Sequence, residues 1–257
     1  RGPTQYVEVR HAIGYLLDRN EFAKTFTGGH GSVVNGNYGL AQWMVEARED
    51  EIGALNQYSF SLDNAIAELE KAGFTLDKDG KPYKSGLRYK KLDNGKLMPL
   101  IINWCSSENN PVSDLLATKL ANSEDEKKAG MEIKQNVVTF NELIENYGQT
   151  KKNDYNMYNM GVGFSAIYNP EFSYAIGNPQ NTNRISDKEL AKLAKNLNVV
   201  DPSNEKEYLD RYVKFQQKWN ELLPDLPLYS NQYHDFFNKK LKGYDGIKDA
   251  IWDITSQ

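Results

Sequence analysis

Between residues 97 and 162 two hydrophobic periods take turns, and this alternation restricts the possible folds more than any other feature of the chain. "LMPLIINW" (97–104) is a short apolar run and reads as a buried strand. "PVSDLLATKLAN" (111–122) places apolar residues at helical spacing, with Pro111 in the first turn, where its missing N–H leaves no helical bond unmade. "MEIKQNVV" (131–138) alternates with period two, "TFNELIENYG" (139–148) reads as a helix opening at Thr139, and "DYNMYNMGV" (154–162) reads as a strand again. Strand, helix, strand, helix, strand at these spacings calls for crossover connections, and therefore for an α/β unit.

The flanking sequence is helical in pattern. "VEVRHAIGYLLDRNEFAKTF" reads as one helix with Val7, Ala12, Ile13, Leu16 and Leu17 apolar and Arg10, Asp18 and Arg19 on polar positions. Gly28, Gly29 and Gly31 end it and open a loop through "HGSVVNGNYGLAQWM". "SLDNAIAELEKAGF" predicts a helix capped by Ser61 or Asp63 and stopped at Gly73. "LDKDGKPY" and "LDNGKL" predict hairpin turns. "SDKELAKLAKNLN" and "SNEKEYLDRYVKFQQKWNELL" predict two amphipathic helices, each opened by a Ser cap, and "LPDLPLYSNQYHDFFNKKL" an extended aromatic segment.

Catalytic signatures are missing from this sequence. His11, His30 and His234 are scattered without metal-ligand spacing, and the single Cys105 excludes an intrachain disulfide and a thiolate cluster. "TGGHGS" follows a helix and does not lead into one, so it reads as a linker or groove-lining loop and not as a phosphate cradle. "DKDG" at 77–80 lacks the third calcium ligand and reads as a turn. Glu124, Asp125 and Glu126 stand beside Lys127 and Lys128, which reads as a solvated face. A net charge of −4 with no basic face argues against a nucleic acid partner, and no apolar run has the length of a membrane span. The chain opens "RGPTQYVEV" without Met, which reads as a cut end.

Aromatic residues supply the one positive signal. Tyr38, Trp43, Trp104, Tyr158, Phe164, Tyr168, Phe172 and Tyr174 all fall near predicted element ends. Singly, each is accounted for by core packing; together, rings at loop mouths suit an extended ligand bound through area and stacking.

Taken in order, several segments resemble the extracellular solute-binding proteins that include the oligopeptide- and dipeptide-binding components of bacterial ABC importers. "VRHAIGYLLDRNEFAKTFTGGHG" is similar to the family's "R-x-A-I-x-x-x-x-D-R" helix through Arg10, Ala12, Ile13, Asp18 and Arg19. "YSFSLDNAIAELEKAGF" is similar to its "Y-x-x-x-x-A-x-x-L-x-x-A-G" helix through Tyr58, Ala65, Leu69, Ala72 and Gly73. The "DKDGKPY" turn, the succession from "LMPLIINW" to "DYNMYNMG", and the late "LPDLPLY" follow the family's order.

The resemblance implies the second lobe of a two-lobed periplasmic-binding-protein-like fold, a mixed sheet flanked by helices. The expected division is residues 1–223 as that lobe and 224–257 as a segment returning toward the first. It implies a monomeric, non-enzymatic protein without cofactor or metal. Its place would be outside the cytoplasm, as a cell-surface lipoprotein or in the periplasm, where it captures a small peptide and delivers it to an ABC permease of the membrane. The alternatives are an oligosaccharide or metal chelate as ligand, a carbohydrate-active enzyme, or a purely structural domain.

The expected ligand-binding residues are Tyr38, Trp43, Val162, Gly163, Phe164, Ser165, Ala166, Ile167, Tyr168 and Asn169. In the family's "Y-D-M … W-x-x-x-x-D-x-x-P" stretch an aspartate often pairs with the ligand amine. Anchored on Tyr155, Met157 and Pro170, the Trp position falls on Val162 and the Asp position on Ile167, and no acid lies between Asp154 and Glu171. An amine would have to be held elsewhere.

Overall fold

Leu17 divides the first predicted helix in two. In the computed structural model, which describes residues 2–148, 150, 152–164, 168–201, 203–231, 238 and 240, α1 (Val7–Leu16) ends where Leu17 turns extended. Asp18 then caps α2 (Arg19–Thr27), its carboxylate accepting the Glu21 N–H at 2.9 Å. A two-residue strand, β1 (Gly31–Ser32), interrupts the predicted loop, and short α3 (Trp43–Ala47) and α4 (Glu49–Gly53) follow. In α5 (Leu62–Lys71) Ser61, not Asp63, is the cap, accepting from Asn64 N.

The predicted strand 97–104 belongs to two sheets. Strands β2 (Tyr89–Lys91) and β3 (Leu97–Pro99) form an antiparallel hairpin whose turn needs Gly95 at φ +79°. The next strand, β4 (Ile101–Ser107), is parallel to its neighbours. Leu100 lies between: its N–H donates to Arg88 O at 2.8 Å and its carbonyl accepts from Glu132 N at 3.1 Å. One fully buried residue thus hands the chain from one sheet to the other.

Asn110 caps α6 (Pro111–Leu116), which continues into a π-helical turn over 117–121; α7 (Glu124–Lys128), β5 (Glu132–Val138) and α8 (Phe140–Tyr147) follow. Thr139 and Glu142 close a capping box at the start of α8. Of the predicted strand 154–162, β6 (Met157–Tyr158) is the part that pairs, with Trp104 and Cys105. The parallel sheet has the order β5-β4-β6, so both crossovers begin or end beside the central β4. Parallel and antiparallel pairing are both present, on separate small sheets.

Beyond the sheet lie α9 (Glu171–Tyr174), α10 (Lys188–Asn196) and α11 (Glu205–Leu222). The caps of α10 and α11 are Asp187 and Asn204, one residue later than the serines expected, because these side chains reach Leu190 N and Glu207 N. Strand β7 (Ser230–Asn231) pairs antiparallel with β1. The rest of the expected aromatic segment, 232–237, lies outside the described residues.

Two apolar cores result. The first joins Val9, Ile13 and Leu16 of α1, Leu69 of α5, Phe74, and Ile102 and Trp104 of β4. The second gathers Tyr212, Phe215 and Trp219 of α11 with Leu190, Tyr38, Tyr168 and Tyr174. Tyr15 and Leu226 pack against both. Polar bonds complete the joint: His11 Nε2 donates to Glu221 O at 2.8 Å, and the Tyr58 hydroxyl donates to Asn220 O at 2.8 Å.

Three residues depart from their expected solvated positions. Arg10 is mostly enclosed, and Arg19 is 5% exposed, its donors meeting Val34 O, Pro227 O, Asn35 Oδ1 and Gln57 O. Glu126, 3% exposed, accepts the Ile133 N–H at 2.6 Å while Glu124 and Asp125 pair with lysines as expected.

Candidate functional site

An open groove of about 2310 Å³ runs along β6, from residues 152–156 before it to 159–164 beyond it, past Ile101 and Asn103 in the first half of β4, and reaches the carboxyl ends of both strands. Strand order reverses at this edge of the sheet, and loops leaving neighbouring strands in opposite directions open a crevice there. Asn110 beyond β4 and residues 159–164 beyond β6 line it.

Amides make its floor. Asn103 exchanges backbone and side-chain bonds with Asn156 and donates to Asp154 O. Asn159 accepts the Trp104 indole N–H at 3.0 Å and meets the Ser113 hydroxyl at 3.1 Å, tying the groove to the buried face of β4. Tyr147, Tyr155 and Tyr158 stack edge to face beside them, at 5.6 and 6.3 Å between centroids. Burial pushes the Tyr158 phenol up to about 12, so it stays a neutral donor, to Asn146 O.

The opposite wall is the loop around Asn37. Fully buried Gln216 holds its backbone, and the Asn37 side chain reaches the hydroxyls of Tyr168 at 2.6 Å and Tyr174 at 3.2 Å. Tyr38, Gly39, Leu40 and Trp43 are thereby presented to the groove. Trp43 is 42% exposed and stacks on Tyr208.

The remaining side is residues 222–231. Leu223 caps α11 in the left-handed region, φ +44°, a conformation that costs a non-glycine residue about 1 kcal/mol. Arg10 compensates by donating to the carbonyls of Leu222 and Leu223, where the helix dipole also favours a cation. Arg19 anchors Pro227. Desolvation holds both guanidiniums down, to about 10, so both remain charged at neutral pH.

The expected site residues separate into three groups. Tyr38, Trp43, Val162, Gly163 and Phe164 come together on the groove. Tyr168 stands behind the wall, buried against Tyr212 and Phe215, and Asn169 faces outward, accepting from Asn198 Nδ2. Ser165, Ala166 and Ile167 lie outside the described residues. Sequence reasoning passed over Asn103, Tyr147, Asn159, Asn183 and Asp225; the position of Asn159 just beyond a strand was the available signal. Among the described residues no three His, Cys, Asp or Glu side chains gather closely enough to hold a metal ion. The groove offers rings, neutral amides and a few charges, a surface suited to a polar ligand with apolar parts.

The sequence matches the family "Bacterial extracellular solute-binding proteins, family 5 Middle" over residues 1–184. No match is found among curated proteins. The fold is similar to that of the oligopeptide-binding protein AppA of Bacillus subtilis, solved with a nonapeptide, at TM-score 0.73 and 22% identity, covering 88% of this chain and 42% of that one. It is similar to the oligopeptide-binding protein of Thermus thermophilus, solved with a pentapeptide, at TM-score 0.71 and 20% identity, covering 88% and 38%. It is also similar to NikA of Brucella suis, solved with Fe(III)-EDTA, at TM-score 0.66 and 19% identity, covering 90% and 43%. The chain spans 38–43% of the length of these structures, and identities this low establish a shared fold.

Proposed function

The chain belongs to the bacterial extracellular solute-binding proteins of family 5, and we propose that it supplies one lobe of a peptide-capturing component of an ABC importer. Residues 1–223 are the second lobe in this reading, and 224–257 lead toward the first. The family is one of extracellular binding proteins; the finer assignment to a lipoprotein or a periplasmic protein, working with a membrane permease and without catalysis, is part of the proposal. No described helix is long and apolar enough to cross a membrane.

The observation that carries the reading is the groove along β6 and past β4, with its amide floor and Trp43, Tyr147 and Phe164 on its walls. The bonds of Asn103, Asn156 and Asn159 within the protein fix a polar floor on which an extended backbone would lie without its side chains being selected. A second lobe would close over the ligand by hinge motion. Solved structures of the same fold hold a nonapeptide and a pentapeptide, which supports the choice of ligand class.

Native mass spectrometry of the full-length protein, purified without denaturation, tests this. The expected result is a set of adducts with the masses of small peptides. A single adduct with the mass of an oligosaccharide or a metal chelate would overturn it.

A further inference from the structure

The last carbonyls of an α-helix have no partner within it, and those of α11 are taken by three side chains from elsewhere in the chain. The Tyr58 hydroxyl donates to Asn220 O at 2.8 Å, His11 Nε2 meets Glu221 O at 2.8 Å, and Arg10 donates to Leu222 O and Leu223 O. Arg10 keeps its charge at neutral pH, and the Tyr58 phenol, pushed up to about 12 by burial, keeps its proton. Histidine is the side chain whose charge ordinarily changes between about pH 5 and 8. His11 is therefore the member of the set that a proton can alter.

Both ring nitrogens of His11 face acceptors. Nδ1 lies 3.2 Å from Glu68 Oε2 of α5, and Nε2 lies 2.8 Å from Glu221 O. An imidazolium donates to both at once. A neutral ring has one N–H and turns a lone pair toward the other oxygen. The charge-assisted bond to Glu68 is the stronger of the two, so the neutral ring keeps its proton on Nδ1 and gives up Glu221 O. Its bare Nε2 then accepts from the Tyr58 hydroxyl, 3.0 Å away, which leaves Asn220 O. Two of the bonds that hold the end of α11 depend on one proton.

The surroundings complement a positive ring. Glu68 and the carbonyl end of α11 face it directly. Lys71 of α5 stands behind Glu68, 3.6 Å from its other oxygen, and Lys218 of α11 holds the Glu221 carboxylate at 3.2 Å. On α1 itself Glu8 offsets the charge of Arg10, and Tyr15 packs on Tyr58, whose ring lies 4.9 Å from the imidazole.

We propose that His11 is a proton-operated latch: the imidazolium ties α1, of the first core, to the end of α11, of the second, and loss of the Nε2 proton releases it. The released turn leads directly into 222–231, which line the groove, so the latch sets how firmly that wall is held. The family is extracellular, and the latch answers to the pH of the surroundings.

The full-length protein and its H11Q and E68Q variants are melted from about pH 8 to about pH 5. Glutamine in H11Q offers an amide donor and cannot change charge. As pH falls, wild type should gain about 2–4 °C in melting temperature on H11Q, and amide exchange at 222–231 should slow relative to H11Q. E68Q should lose most of that gain. Glu126 titrates in all three and cancels in the differences. Nitrogen-15 spectra of the wild-type ring, assigned through its contact with Tyr58, give a reading independent of how the variants fold. Both nitrogens should be protonated at the acid end and Nδ1 alone at the alkaline end. A melting difference constant with pH, a gain that survives in E68Q, or a neutral ring protonated on Nε2 overturns the latch. None of these bears on peptide capture, and failure of peptides to bind would leave the latch standing.

Discussion

Both amide atoms of Gln216 are bonded to the backbone of Asn37: Oε1 accepts its N–H at 2.8 Å and Nε2 donates to its carbonyl at 2.9 Å. One helical side chain therefore fixes the loop that carries Tyr38 and Trp43. Leucine at this buried position would leave two backbone groups unpaired, so Gln216→Leu is expected to cost about 2–4 kcal/mol. Urea denaturation measures this, and a loss under about 1 kcal/mol would show that water replaces the lost bonds.

Arg19 makes a second test, of geometry and not of charge. Its two terminal nitrogens serve four acceptors on three segments of chain: Val34 and Asn35, Gln57, and Pro227. Lysine keeps the charge but presents a single ammonium, which cannot span them. Arg19→Lys is expected to lose about 2 kcal/mol or more, and faster amide exchange at 227–231 would show that the C-terminal segment is released.

Stability should fall as pH rises across the titration of Glu126. Burial pushes this carboxyl up to about 7 from an ordinary 4.5. Between those values the folded state holds a proton that the unfolded chain has given up. The contribution is complete below pH 4.5 and lost as pH rises through about 7. Glu126→Gln cannot ionise, so its melting temperature should gain on wild type from about pH 4.5 to 8; a constant gap across that range would count against the raised value.

The groove walls can be probed with two exposed rings of different placement. Trp43 is 42% exposed and lines the groove, whereas Phe172, 52% exposed, stands outside it. In the full-length protein Trp43→Ala is expected to weaken pentaalanine about tenfold, and Phe172→Ala to leave it unchanged. Equal effects would place the ligand elsewhere.

Periodicity made the α/β alternation legible because α6, β5 and α8 each bury one face, while β4 is a short run buried on both faces toward its carboxyl end. The split at Leu100 was not legible, since a residue that changes sheet partners is as apolar as its neighbours on either side. Arg10, Arg19 and Glu126 were misread for a related reason: position in a helical repeat gives no sign of the carbonyls and N–H groups that distant segments bring to a charged side chain. The rings near element ends, Tyr158, Phe164, Tyr168 and Tyr174 among them, were read together, yet they are divided. Tyr155, Tyr158 and Phe164 face the groove and Tyr168 and Tyr174 the second core, because Asn37 draws the latter two hydroxyls inward. Asp225 lies far beyond those rings in sequence, and only the return of the chain past α11 brings it to the same groove.

The joint between the two cores has a consequence for how the unit comes apart. Among the described residues Tyr15 and Leu226 are the side chains packed against both, while Arg10, His11 and Tyr58 hold α11 through its final carbonyls. Directional bonds of this kind set an angle closely but bury little oily area, so they transmit little cooperativity. The halves are aligned like parts on locating pins: each is expected to show its own transition in scanning calorimetry, and a ligand that fills the groove across their seam is expected to merge the two.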